Sequence, residues 1–238
     1  MRFWEIDFMR GIAIILMVIF NWSYTLKYFN IFIPQAGWIF WFLFPRFIAG
    51  LFIFIAGISL VLSYNHIGNI KLFNQKNIKR GLKIFGLGLL VTFVTWLLFP
   101  NEFIIFGILH LIGLSIILAL PFMKFKKLNL ILGSVIFTIG LILQNFTFDF
   151  PWLLWLGFYP TNMVTFDYFP LLPWFGIILI GIYFGKLLYK NNKRTFKISD
   201  LSNYLNIKFV SFLGKNSLLI YLMHQPLLIL ILFLLGFL

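Results

Sequence analysis

Seven apolar stretches, each close to the length of a membrane-crossing helix, follow one another along this chain with only short polar breaks between them. A helix that crosses the hydrocarbon core takes about 20 predominantly apolar residues. The windows fall near 8–28, 45–64, 81–100, 103–122, 128–145, 170–189 and 212–237 of the 238 residues. Little chain is left for a soluble appendage. Composition agrees, since 62% of residues are hydrophobic and 11% charged, against about a quarter charged in soluble domains. Backbone polar groups in lipid must be bonded within the element itself. The sequence therefore predicts an all-α, polytopic integral membrane bundle of about seven transmembrane helices, one domain over residues 1–238.

The distribution of positive charge predicts the topology, because Lys and Arg collect in cytoplasmic loops. With the N-terminus inside, seventeen of the 19 basic residues fall on the inner side, and only Lys27 and Arg46 fall outside. This gives an N-in, C-out chain in the cell membrane, with the lipid bilayer as its first partner. The net charge of +13 is thereby explained as a topology signal, and no nucleic acid is expected. The chain has no cysteine, which excludes disulfides, thiolate metal sites and a Cys nucleophile. The first helix is too long for a cleaved signal core and is expected to stay as an anchor.

Two segments read as interfacial or re-entrant pieces: 31–43, interrupted by Pro34 and Gly37, and 150–160. In the inner loop before the last helix, Leu201, Tyr204, Leu205, Phe209 and Phe212 recur at helical spacing after Ser199 and Asp200, two residue types that cap helices. A short amphipathic helix on the inner surface is expected there. Gly181 with Gly185, and Ser59 with Ser63, have the small-xxx-small spacing of close helix packing.

Polar residues at membrane depth are costly and mark functional sites. Asp7 and Arg10 share one helix face at the start of the first span. Asn21 lies about 20 Å above the inner boundary at 1.5 Å per residue. His110, counted down from Glu102 in the fourth span, comes about 12 Å deep, a similar height. His224 lies nearer mid-membrane, followed by Gln225 and Pro226. Each has a structural alternative: Asn21 as a bond between helices, His110 as a satisfied core donor in its Gly-flanked stretch, His224 as a ring bonded to a carbonyl freed by Pro226. Arg46 could hold an anion or reach for headgroups. Asp149 and Asp167 could present acceptors to a substrate, and Trp152, Trp155 and Tyr159 could stack on sugar rings or form an aromatic belt. The three His are far apart, without HExxH, so no metal is expected, and neither a phosphate loop nor a nucleophile elbow is present.

The opening helix, DFMRGIAIILMVIFN, resembles the first transmembrane helix of the heparan-alpha-glucosaminide N-acetyltransferase catalytic-domain family of membrane acyltransferases. FPRFIAGLFIFIAGISLVLS is similar to that family's second helix, FGILHLIGL to its GxLxxxG helix, PWFGIILIGIYFGK to a later one and LGKNSLLIYLMHQP to the closing helix. The resemblance implies transfer of an acetyl (acyl) group from cytosolic acetyl-CoA to an amine or hydroxyl of a glycan or related small-molecule acceptor. By its spacing from Arg10, Asn21 matches the family's catalytic asparagine. Where animal members carry a presumed catalytic His this chain has Phe32, and its first His is His66. The base expected is then His110 first and His224 second. Asp7, Arg10, Lys79, Arg80 and Lys83 are expected at the CoA entrance, the cations to meet its phosphates; for the three on the loop the positive-inside rule is the readier explanation. Arg46, Asp149 and Asp167 are expected on the acceptor side. A homodimer is compatible with the sequence. Two other classes stay open: a transporter or flippase of a small or lipid-linked molecule, and a non-catalytic scaffold of the same fold.

Overall fold

The computed structural model describes residues 3–237. Its helices are α1 (Trp4–Tyr28), α2 (Phe44–Ile67), α3 (Ile70–Leu98), α4 (Ile108–Leu118), α5 (Lys127–Leu143), α6 (Leu171–Leu188), α7 (Leu205–Lys215) and α8 (Ser217–Leu234). A two-residue hairpin, β1 (Tyr189–Lys190) and β2 (Lys193–Arg194), follows α6. The all-α class is therefore observed. Among the described residues, five helices are long and apolar enough to cross a membrane: α1, the run Ile39–Ile67, α3, α6 and α8. The other two expected crossings, α4 and α5, are 11 and 17 residues long.

Four local differences from the sequence reading have physical causes. Helix α3 starts eleven residues before the apolar window at 81, because Asn69 caps it, its side chain accepting from the N–H groups of Lys71 (2.9 Å) and Leu72 (3.2 Å). The polar turns of Lys71–Lys83 are thus helix, not loop. Helix α4 is shorter than 103–122: residues 103–106 are non-helical, and the chain there bonds to the loop before α6, with Phe166 N–H donating to Glu102 O (3.0 Å) and Phe169 N–H to Phe106 O (2.9 Å). At the other end, Pro121 opens a 3₁₀ turn, Pro121–Lys124. The later part of segment 31–43 is no separate piece, since Ile39–Leu43 forms a π-helical turn running directly into α2. Finally, α7 begins at Leu205, its N-cap Tyr204 extended, while Asp200 instead closes a turn by accepting from Ser202 N–H at 3.0 Å.

The chain groups into two compact units, one of residues up to Phe52 with Ile198 onward, the other Ile53–Lys197. In the first, Ile14 and Met17 of α1 are buried against Ile48 of α2, flanked by Phe20, Ile220 and Tyr221. Helix α7 lies directly on α1. A Cβ on Gly11 would fall 1.9 Å from the Val210 carbonyl oxygen, and one on Gly214 would fall 1.8 Å from that of Asp7. Only hydrogen fits at either place. The large apolar residues of α7 point away from this contact, with Leu205 81%, Phe209 61% and Phe212 59% exposed, as in a helix whose outer face meets lipid.

In the second unit the same device recurs between α2 and α6. A Cβ on Gly181 would meet Phe54 O at 2.4 Å and one on Gly57 would meet Ile178 O at 2.4 Å. Gly185 likewise faces Ile58 and Val61, so the Gly181/Gly185 spacing is a packing surface. Ser59 donates back to Ile55 O at 2.6 Å within its own helix. Gly133 of α5 meets Gly176 of α6, and Gly81 of α3 meets Gly113 of α4.

Candidate functional site

In the first unit, polar side chains of α1 and α8 form one bonded row. Met17, Asn21 and Thr25 are spaced i, i+4 and share a stripe of α1. Asn21 Nδ2 donates to Met17 O at 2.9 Å, and its Oδ1 accepts from Gln225 Nε2 of α8 at 3.3 Å. Gln225 Oε1 accepts in turn from Thr25 Oγ1 at 3.3 Å. Thr25 is buried, and Asn21 and Gln225 are partly buried.

His224 adjoins this row in sequence, and its ring has a defined tautomer. Nδ1 is in hydrogen-bond contact with the carbonyl oxygen of Tyr221. A carbonyl only accepts, so Nδ1 carries a proton, and in the neutral ring Nε2 then keeps the lone pair. That Nε2 is buried and has no hydrogen-bond partner among the described residues. Pro226 removes the helical N–H donor of Leu222 O; the ring bonds the carbonyl one residue earlier. In its neutral form the ring is thus oriented, with Nε2 as its basic nitrogen.

His110 has the opposite character. It sits on the first turn of α4, not two turns down a longer helix, and is 2% exposed. Nδ1 accepts from Gly107 N–H at 3.2 Å, and Nε2 lies 3.5 Å from Thr92 Oγ1, which itself donates to Ile104 O at 2.6 Å. Both ring nitrogens are therefore engaged. The ring packs edge-on to Phe85 and stacked on Phe106, against Gly88, where a Cβ would lie 3.0 Å from Nδ1. This is a satisfied core histidine that closes the start of α4.

Asp167 completes that closure. Its Oδ2 accepts from Ile108 N–H at 3.2 Å, satisfying a first-turn donor of α4 from a distant segment. Burial lifts its carboxyl from the usual 3.8 to about 6, the bond from Ile108 opposing the rise. Asp149 is exposed and accepts from Thr161 Oγ1 at 3.1 Å. Trp152 is 70% exposed and stacked on Phe150, and Tyr159 bonds Met163 O through its hydroxyl. Arg46 bonds Phe42 O at 2.9 Å and lies over the Phe42 ring, so its guanidinium is held by its own helix.

Asp7 and Arg10 form an ion pair at 3.0 Å, with Asp7 buried and Arg10 partly exposed. Since Gly214 of α7 packs on the backbone of Asp7, this pair sits at the α1–α7 contact. Lys79, Arg80 and Lys83 are exposed along α3. Among the described residues no group of His, Asp and Glu is placed to hold a metal ion.

The structure thus joins Asn21 to the residue next to His224, within one unit, while His110 and Asp167 are held together in the other. Sequence reasoning left Gln225 and Thr25 out of the site. Thr25 was legible as the i+4 neighbour of Asn21; Gln225 adjoins His224 but carries no local signal of its partner on α1. No curated protein matches this chain, and no solved structure does. A family model described as "Heparan-alpha-glucosaminide N-acetyltransferase, catalytic" matches residues 2–226. With a match over nearly its whole length, the chain belongs to the heparan-alpha-glucosaminide N-acetyltransferase catalytic family.

Proposed function

We propose that this protein is a multi-pass enzyme of the cell membrane that transfers an acetyl group from cytosolic acetyl-CoA to an amine or hydroxyl of a glycan or related acceptor, with His224 as general base. The observation that carries the reading is the free, buried Nε2 of His224, its tautomer fixed by Tyr221 O, one residue from the Gln225–Asn21 bond. An imidazole in this state takes a proton without first losing one. For an amine acceptor, nitrogen attacks the thioester carbonyl, the C–N bond forms and the C–S bond breaks. His224 Nε2 accepts the amine proton and returns it to the leaving thiolate. An amide donor facing the acyl oxygen stabilises the charge that develops there, and Asn21 is the residue assigned to that task. Asp7 pairs Arg10 and fixes the start of α1, and Arg10 offers positive charge to a phosphate of CoA; on α3 the exposed Lys79, Arg80 and Lys83 form a separate cationic stretch suited to the same anion. Arg46, Asp149 and Asp167 are given no part in acceptor binding in this reading. His110 is a structural residue in this account.

Purified protein in detergent, given acetyl-CoA carrying a radiolabelled acetyl group together with glucosamine, tests the reading. Label in the amino sugar with stoichiometric free CoA supports it. Intact acetyl-CoA, combined with uptake of separately radiolabelled glucosamine into proteoliposomes of the same protein, would move the protein to the transporter class; neither result would leave the scaffold class.

A further inference from the structure

An asparagine amide offers a donor on one side and an acceptor on the other, and what it shows a substrate depends on what holds its remaining atoms. Here the polarity of the row is set at one end. The Met17 carbonyl only accepts, so the Asn21 NH₂ group must face it, at 2.9 Å. Asn21 Oδ1 is thereby turned to α8 and meets an NH₂ group, that of Gln225, at 3.3 Å. Gln225 Oε1 is then directed at Thr25, whose hydroxyl donates at 3.3 Å. Rotating Gln225 by half a turn would set its oxygen against Asn21 Oδ1, two acceptors without a proton between them. Two helices and three side chains therefore agree on one orientation.

We propose that Gln225 and Thr25 are positioning residues that hold Asn21 in its donor sense, so that the second Nδ2 hydrogen, and not Oδ1, is what Asn21 offers the reaction. The inference rests on the acyl-transfer reading and gives Asn21 one of two chemically opposite roles. Asn21 donates to the thioester oxygen as it gains charge; it does not accept from the attacking amine. Gln225 touches neither reacting atom and acts only through Asn21, and Thr25 acts only through Gln225.

Kinetics and a spectroscopic signature test this together. Gln225→Met keeps the length of the side chain without its amide; kcat is expected to fall at least about 10-fold with KM for acetyl-CoA unchanged, the cost of a misplaced reacting group. Thr25→Val is expected to act in the same direction, and Thr25→Ser, which keeps the hydroxyl, to restore kcat. Asn21→Ala should cost about 100-fold, the loss of one oxyanion donor, and Gln225→Met added to it should cost nothing further. In protein labelled with ¹⁵N-asparagine, the side-chain resonance of Asn21, identified by its disappearance in Asn21→Ala, should shift in Gln225→Met. An unmoved resonance, or losses that multiply in the double variant, overturns this inference alone. A wild-type protein that transfers no acetyl group overturns the reading beneath it and the role of Asn21 together, even if the resonance moves.

Discussion

An imidazole serves proton transfer only if one ring nitrogen keeps a lone pair that nothing else holds. His110 and His224 are indistinguishable by that criterion in the sequence, as both lie in apolar runs, yet their rings are bonded in opposite ways. His110 spends both nitrogens on Gly107 and Thr92, so His110→Ala removes a buried, bonded ring. A loss of about 2–4 kcal/mol of stability is expected, read as a lower Tm, with the protein that stays folded keeping its activity. Full stability with lost turnover would contradict this. Asp167 makes a separate prediction. Its folded pKa of about 6 lies above the ordinary 3.8, so between about pH 4 and pH 6 the folded protein binds a proton that the unfolded chain has released. The contribution of this group to stability is therefore full below pH 4 and falls as pH rises to 6, by about 2 kcal/mol. Tm measured from pH 4 to pH 7 should show wild type losing ground to Asp167→Asn over that window; parallel curves would contradict the assignment. Asn21 was legible from its depth and its distance from Arg10. The tautomers were not, because they depend on Tyr221, Thr92 and Gly107 in three dimensions.

At the scale of elements, packing rests on glycines that let backbones touch. Gly214→Ala would drive a methyl group into Asp7 O, 1.8 Å away, whereas Gly86 has nothing within 4 Å of its Cβ position. Gly214→Ala is expected to cost about 1–3 kcal/mol and Gly86→Ala to be neutral, in thermal unfolding of detergent-solubilised protein. Equal effects would show that the α1–α7 contact is not close. The apolar windows marked where helices lie and misplaced their ends for identifiable reasons. Polar residues hid the first turns of α3, which Asn69 caps, and the apolar run 103–107 concealed a non-helical strap bonded to residues 165–169. Asn191 and Asn192, both with positive φ, turn the small β1–β2 hairpin as type I′ turns require; the pair is a turn signal that a search for membrane spans passes over.

The whole molecule has a sidedness as well as an activity to test. Because the chain has no cysteine, single cysteines report on sidedness without a background. Lys79→Cys should react with an impermeant maleimide only from the cytoplasmic side and Thr161→Cys only from the outer side; labelling of both from one side would contradict the N-in, C-out arrangement. The activity turns on one nitrogen. The most direct measurement is the turnover of acetyl-CoA with an amine acceptor by His224→Ala beside wild type, both purified and equally stable. A fall in kcat of at least about 100-fold with acetyl-CoA binding unchanged is expected, and a His224→Ala protein that turns over at the wild-type rate would contradict the role of this nitrogen.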